Sequence, residues 1–256
     1  MTSHQASNAS PVILTVLGSG DAFASGGRSQ AGYVIDASGV RVMLEAGPDL
    51  LGMLKRAGIP PASLDLVLIS HLHGDHFAGL PFLMLEYMFE SPRKRPLTIA
   101  GPRNLEQRTL QLMRTMYPTF DLSRIRKKLK WVVLNPGKTV RLGSLRVSAI
   151  RSRHTKPDIS LSLKIVAGTK TIVFSGDSGW NDELVKLSDG ADLFLCECTY
   201  YESSHLTFHH NYPLIAANRD KFHVRRMVLT HLGREVLDHE SDVKFEMAFD
   251  GMQIEV

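Results

Sequence analysis

Four side chains able to bind a metal fall within six residues, His71-Leu72-His73-Gly74-Asp75-His76. The run before them, Asp65–Ser70, reads as a buried strand, and the apolar run after them, Phe77–Glu90, reads as a helix. A strand that turns into a helix presents such side chains at its carboxyl end, where open α/β sheets bind ligands. Three imidazoles and a carboxylate suit Zn²⁺ or a similar borderline metal better than Ca²⁺ or Mg²⁺, which prefer oxygen shells. Six residues cannot close a site, so other segments must contribute.

Three further positions place a ligand just past an apolar run. Val147–Arg153 leads to His154, Thr171–Gly176 leads to Asp177, and Val228–Thr230 leads to His231. Together these make five histidines and two aspartates, enough for two metals with one shared carboxylate. The simplest partition gives His71, His73 and His154 to one metal and Asp75, His76 and His231 to the other. Asp177 then bridges them. Zn²⁺ is the expected metal, with Mn²⁺ or Fe²⁺ as the other candidates for such a donor set.

The elements that must hold these residues alternate between strand-like and helix-like runs, which points to an α/β class. Strands are expected over 11–17, 31–36, 40–45, 65–70, 95–100, 129–135, 139–142, 144–150, 159–166, 170–174, 193–198, 224–229 and 252–256. Helices are expected over 49–57, from Pro102 to about Tyr117, and over 181–187 and 213–220. Two strand-rich then helical stretches, led by 11–90 and 130–220, suggest two fused αβ units with their sheets face to face. Residues 1–10 read as a loose polar tail and 11–256 as one domain. The glycine-rich stretch Gly18–Gly27 lacks the G-x-G-x-x-G spacing and following helix of a nucleotide cradle.

Composition narrows the setting. The chain has 256 residues, 43% of them hydrophobic, ample for a substantial core. No basic start with a long apolar run marks a signal peptide, and no run is long enough to span a membrane, so a cytoplasmic location is expected. Cys196 and Cys198 sit too close for an ordinary disulfide and read as reduced, packed thiols. Between Arg93 and Lys130 there are eleven basic residues against two acidic ones, Glu106 and Asp121. That segment is either a solvated face or a surface that attracts anionic substrates.

The elements His71-x-His73-x-Asp75-His76, His154, Gly176-Asp177-Ser178 and Thr230-His231, in this order and spacing, resemble the metallo-β-lactamase superfamily. The resemblance runs from about residue 12 to 256. It leans toward ribonuclease Z-like metal-dependent hydrolases through Asp75–Pro81, Glu197-Cys198-Thr199-Tyr200, His205-Leu206-Thr207 and the ending Ala248–Val256. It implies a four-layer αβ/βα sandwich with metals at the strand edges between the sheets. It also implies that His205 acts on the scissile phosphate or leaving group, with Glu197 orienting it. The tRNA-maturing members carry a protruding arm between the positions matching His154 and Asp177. Here residues 155–176 are used by a hairpin, which disfavours tRNA.

The expected function is a dinuclear-metal hydrolase of a phosphodiester, small or cyclic, or of an RNA end. Asp75, besides ligating, is placed to accept a hydrogen bond from the attacking hydroxide, and His205, if protonated, could protonate the leaving oxygen. Hydrolysis of a lactone, thioester or sulfate ester is the enzymatic alternative. A non-catalytic binding protein that uses the 93–130 surface is the other. The expected partner is an anionic small molecule or oligonucleotide, with no membrane. The apolar run Leu80–Phe89 reads as a core helix or pocket wall, with a homodimer surface as the competing reading.

Overall fold

A computed structural model describes residues 11–154, 156, 158–202 and 207–256. The expected tail (1–10) and His205 lie outside the described residues. The first strands are β1 (Ile13–Gly18), β2 (Gly32–Ala37), β3 (Val40–Leu44), β4 (Leu66–Leu68), β5 (Leu97–Gly101) and β6 (Leu129–Val133). Then follow β7 (Thr139–Leu142), β8 (Leu145–Arg151), β9 (Leu161–Ala167) and β10 (Lys170–Phe174). The last are β11 (Leu193–Glu197), β12 (Arg226–Thr230), β13 (Glu246–Met247) and β14 (Gln253–Glu255).

Among the described residues these strands form two seven-stranded sheets, ordered β14-β1-β2-β3-β4-β5-β6 and β13-β12-β11-β10-β9-β8-β7. The chain crosses from one to the other between Val133 and Thr139. The closing strand β14 returns to pair antiparallel with β1, so the first unit draws in the C-terminus.

Helices α1 (Leu50–Arg56), α2 (Gly74–Phe77), α3 (Leu80–Phe89), α4 (Leu105–Met116) and α5 (Ser123–Arg126) belong to the first half. Helices α6 (Asp182–Ser188), α7 (Tyr212–Ala217) and α8 (Arg234–Asp238) belong to the second. Three apolar clusters separate the four layers. Val16, Tyr33, Ile35, Val42, Leu44 and Leu68 of one sheet meet Val147, Leu163, Ile165, Phe174, Leu195 and Val228 of the other. The alternate residues Val34, Met43, Val67 and Ile69 face outward to Leu50, Leu54, Leu83 and Tyr87. Val173, Phe194, Cys196 and Leu229 do the same on the far side, against Leu184, Ile215 and Phe222. Strands buried on both faces are why their sequences are nearly continuous apolar runs. The result is the αβ/βα sandwich that the resemblance implied.

Two elements depart from expectation. The run 77–90 is not one helix: it breaks at Ala78-Gly79, where Gly79 N donates to Ala46 O at 2.8 Å and draws the break onto the loop after β3. Pro102 does not open a helix, because pairing with β6 carries β5 through Gly101, and α4 starts only after the left-handed Asn104 (φ 73°). The run Leu80–Phe89 packs into the core through Leu80, Leu83, Met84 and Tyr87. Both cysteines are buried free thiols, and burial pushes both pKa values up. No helix among the described residues is long and apolar enough to cross a membrane.

Candidate metal centre

The parallel pairs β3–β4 and β10–β11–β12 bring their carboxyl ends to the same edge of each sheet. Strand β8 runs in the same direction as β10, because each is antiparallel to β9. Each expected ligand leaves one of these ends: His71 after β4, His154 after β8, Asp177 after β10 and His231 after β12. The two sheets are tied together there by Leu161 N, which donates to Ser70 O at 3.0 Å. Gly176 (φ 56°) permits the close approach, since a Cβ on it would sit 2.6 Å from Leu161 O.

All seven expected residues converge. His71, His73, His154 and Asp177 form one group of ligand atoms lying within 4.8 Å of one another, and Asp75, His76, Asp177 and His231 form a second. Asp177 belongs to both. Its Oδ2 is 3.7 Å from His71 Nε2, 3.8 Å from His154 Nε2 and 3.4 Å from His76 Nε2, while its Oδ1 is 3.5 Å from His231 Nε2. Asp75 Oδ2 stands 3.0 Å from His76 Nε2 and 3.6 Å from His231 Nε2.

The other ring nitrogens fix which atoms face inward. His154 Nδ1 lies 2.9 Å from Phe208 O; a carbonyl can only accept, so Nδ1 carries the proton and Nε2 keeps a lone pair. His76 Nδ1 faces the Glu45 carboxylate at 3.1 Å, His231 Nδ1 faces Thr199 Oγ1 at 3.0 Å, and His71 Nδ1 faces Ser70 Oγ at 2.9 Å. His71 Nε2, His76 Nε2, His231 Nε2 and Asp177 Oδ1 are buried without a hydrogen-bond partner. Four orphaned donor atoms aimed at one volume would be costly unless something satisfies them, and a divalent cation does so. The donor set fits two such ions.

The local electrostatics of the metal-free protein agree. Burial opposes the charge of Asp177, yet the nearby His231, His76 and His71 hold its pKa well below the usual carboxylate range. Burial likewise opposes protonation of His231, but Asp177 and Asp75 raise its pKa to about 9. Two site residues, Glu45 (φ 64°) and His231 (φ 52°), adopt left-handed backbone conformations, which cost roughly 1–2 kcal/mol per non-glycine residue.

Glu197, expected to orient His205, which lies outside the described residues, meets His209, whose Nδ1 is 2.9 Å from Glu197 Oε1. Glu197 is wholly buried and also accepts from Ser178 N, Thr199 N, Thr199 Oγ1 and His210 N. Five donors saturate a carboxylate, so Glu197 anchors rather than ligates, although its oxygens lie close to His209 and His231. The His209 ring is 4.8 Å from that of His154 and stacks at 5.7 Å on that of His231. Burial lowers the pKa of His209, but the Glu197 charge outweighs it and raises the group. His209 is the residue that reading the sequence missed. No local pattern marks it: His209 sits two residues ahead of Asn211, which caps α7 by accepting from Leu214 N.

The basic segment serves structure in part. Arg93 is buried, donates to Ala62 O and Arg95 O, and stacks over Tyr87, while Arg95 pairs with Asp65. Arg108 pairs with Asp158 at 2.8 Å and lies over Phe77, the residue after His76.

Known proteins resemble this chain over most of its length. The family model described as anti-Pycsar protein Apyc1 matches residues 12–251. The uncharacterized protein Rv1339 of Mycobacterium tuberculosis is 30% identical over 250 residues, covering 92% of this chain and 87% of its own. A ribonuclease Z of Methanosarcina mazei is 22% identical over 300 residues, covering 94% and 96%. Among solved structures, the metallo-β-lactamase fold protein YhfI of Bacillus subtilis superposes with a TM-score of 0.77 at 22% identity, covering 96% of this chain and all of that one.

Proposed function

The chain belongs to the anti-Pycsar protein Apyc1 family, a ribonuclease Z-like branch of the metallo-β-lactamase fold, and on that premise we propose that it is a dinuclear-metal phosphodiesterase. The family makes it a metal-dependent hydrolase. The observation that carries this reading is Asp177, common to two four-residue groups in which His71 Nε2, His76 Nε2, His231 Nε2 and Asp177 Oδ1 are buried without a hydrogen-bond partner. In this reading His71, His73, His154 and Asp177 hold one divalent ion, and Asp75, His76, Asp177 and His231 hold the other, with Zn²⁺ the first candidate. When bound, such ions supply Lewis acidity and a water acidic enough to attack near neutral pH.

The chain's own groups supply the rest. Asp75, partly accessible at the mouth, accepts a hydrogen bond from the incoming water and sets its direction. His209, held by Glu197, carries a proton on the side of the site between His154 and His231 and delivers it to the departing oxygen, a role typically worth 10²–10⁴-fold. Hairpin β9–β10 occupies the interval in which an arm would be inserted, which favours a small or cyclic phosphodiester over a folded RNA.

The test is to strip the protein with chelator, reload it with Zn²⁺ or Mn²⁺, and measure both stoichiometry and turnover. About two ions per chain and hydrolysis of bis-(p-nitrophenyl) phosphate are expected. Fewer than one ion per chain, or activity confined to lactones or thioesters, would overturn the proposal.

A further inference from the structure

Thr199 is buried between the proposed second-metal ligand His231 and the Glu197–His209 pair. Its hydroxyl oxygen lies 3.0 Å from His231 Nδ1, 3.0 Å from Glu197 Oε2 and 3.3 Å from His209 Nδ1. Its backbone N–H donates to the same Glu197 oxygen at 3.2 Å. A hydroxyl has one proton and two acceptor sites. Glu197 Oε2 at 3.0 Å is a nearer acceptor than the His231 carbonyl at 3.5 Å, so the Thr199 proton goes to the carboxylate. The hydroxyl lone pair is then left to receive Nδ1–H of His231, whose Nε2 faces the metal volume without another partner.

We infer that Thr199 is a positioning residue that joins the metal centre to the proton donor through one directed chain of hydrogen bonds. The chain runs from His231 Nδ1–H to Thr199 Oγ1, from Thr199 Oγ1–H to Glu197 Oε2, and from His209 Nδ1–H to Glu197 Oε1. Glu197 is the nearest acceptor for both protons, at 3.0 Å from Thr199 Oγ1 and 2.9 Å from His209 Nδ1 against 3.5 Å and 3.3 Å for the alternatives His231 O and Thr199 Oγ1, so the tautomers of His231 and His209 are set together. His231 is obliged to present Nε2 as a lone pair, and His209, with Nδ1–H committed to Glu197, turns Nε2 to the substrate as the atom that carries the transferable proton. The position needs a hydroxyl for this: valine matches threonine in shape but offers neither donor nor acceptor. Serine keeps both and lacks only the methyl group.

The inference rests on the dinuclear reading above, and the experiment separates the two. Metal affinity of the wild type, Thr199→Val and Thr199→Ser is measured by competition with a chromophoric chelator, and kcat and KM are measured on bis-(p-nitrophenyl) phosphate at saturating metal. Thr199→Val is expected to weaken the second ion roughly 10–100-fold, the usual effect of losing a partner behind a ligand, while the first ion keeps its affinity. It also lowers kcat at saturating metal with KM little changed, and Thr199→Ser restores both. The histidine ¹⁵N spectrum of the zinc-loaded wild type is expected to show the Nδ1–H tautomer for His231 and a proton on Nδ1 of His209, a readout that needs no variant. Wild type holding fewer than one ion per chain overturns the dinuclear reading and the relay with it. Wild type holding two ions, with Thr199→Val unchanged in second-ion affinity and kcat, overturns the relay alone. So does Thr199→Ser as impaired as Thr199→Val, or an Nε2–H tautomer at His231.

Discussion

Glu45 places a carboxylate oxygen 3.1 Å from His76 Nδ1, with both side chains wholly buried. Its other oxygen accepts from Ser70 N at 2.8 Å, so one carboxylate fixes both the imidazole and the strand end that launches the metal motif. The left-handed backbone at Glu45 is the strain that this geometry requires. Glu45→Gln keeps the shape but replaces the anion behind His76 with a neutral amide. The expected result is a second metal bound 10–100-fold more weakly with the first little affected, read by chelator competition.

His209 gives a different signature. It lies outside the two four-residue groups and is held by Glu197, so His209→Ala removes the proton donor and leaves the donor set for metal whole. Turnover of bis-(p-nitrophenyl) phosphate is expected to fall 10²–10⁴-fold, with two ions per chain retained. A substrate whose leaving group is already a weak base should lose less than one with an alkoxide leaving group. Loss of metal in step with loss of activity would instead make His209 a ligand.

How far the residues announce themselves depends on whether a local pattern carries them. His154, Asp177 and His231 each follow an apolar strand directly, and the parallel register that unites their ends follows from that pattern. The neighbouring expected strands 31–36 and 40–45 were equally legible as a pair, and in the turn between them Ser38 and Gly39 adopt the positive φ that a two-residue hairpin requires (51° and 74°). His209 was not legible, because its partner Glu197 lies across a loop and nothing beside it distinguishes it from His205 or His210. Glu45 ended an expected strand, but its role needs the packing of the loop after β3 against α2, which no periodicity reports. Pro102 misled for a tertiary reason: β6 pairs through Gly101, and that pairing overrides a local preference for helix.

His210 is fully buried, and neither ring nitrogen has a hydrogen-bond partner among the described residues. Its backbone N–H serves Glu197, and the ring sits edge-on to Trp180. Burial lowers its pKa despite the nearby Glu197 charge. The unfolded chain therefore binds a proton below about pH 6.5 that the folded chain refuses, and stability falls as pH drops through that range. His210→Leu removes an unsatisfied polar ring while keeping the backbone bond, so it is expected to leave Tm unchanged or raise it. The difference in Tm between pH 7.5 and pH 5.5 should also be smaller than in the wild type, as measured by calorimetry on metal-loaded protein.

His231 shifts the opposite way, and only in the metal-free protein. Its folded pKa is raised to about 9, because Asp177 and Asp75 outweigh the opposing effect of burial, while the unfolded value stays near 6.5. A raised folded pKa gives stability that is fully present below pH 6.5 and is lost as pH rises through about 9. His76, raised by the same two carboxylates, contributes with the same sign. Chelator-treated protein should therefore melt lower at pH 9 than at pH 6.5. Metal binds the neutral imidazole, so uptake at pH 7–8 must expel a proton from His231 and from His76. Titration calorimetry in buffers of different ionisation enthalpy reads that release directly. It should decline as the pH passes about 9 and His231 enters the reaction already neutral, and metal should raise Tm more at pH 9 than at pH 6.5. A metal-free Tm that does not fall between these pH values would show that Asp177 and Asp75 do not hold His231 protonated.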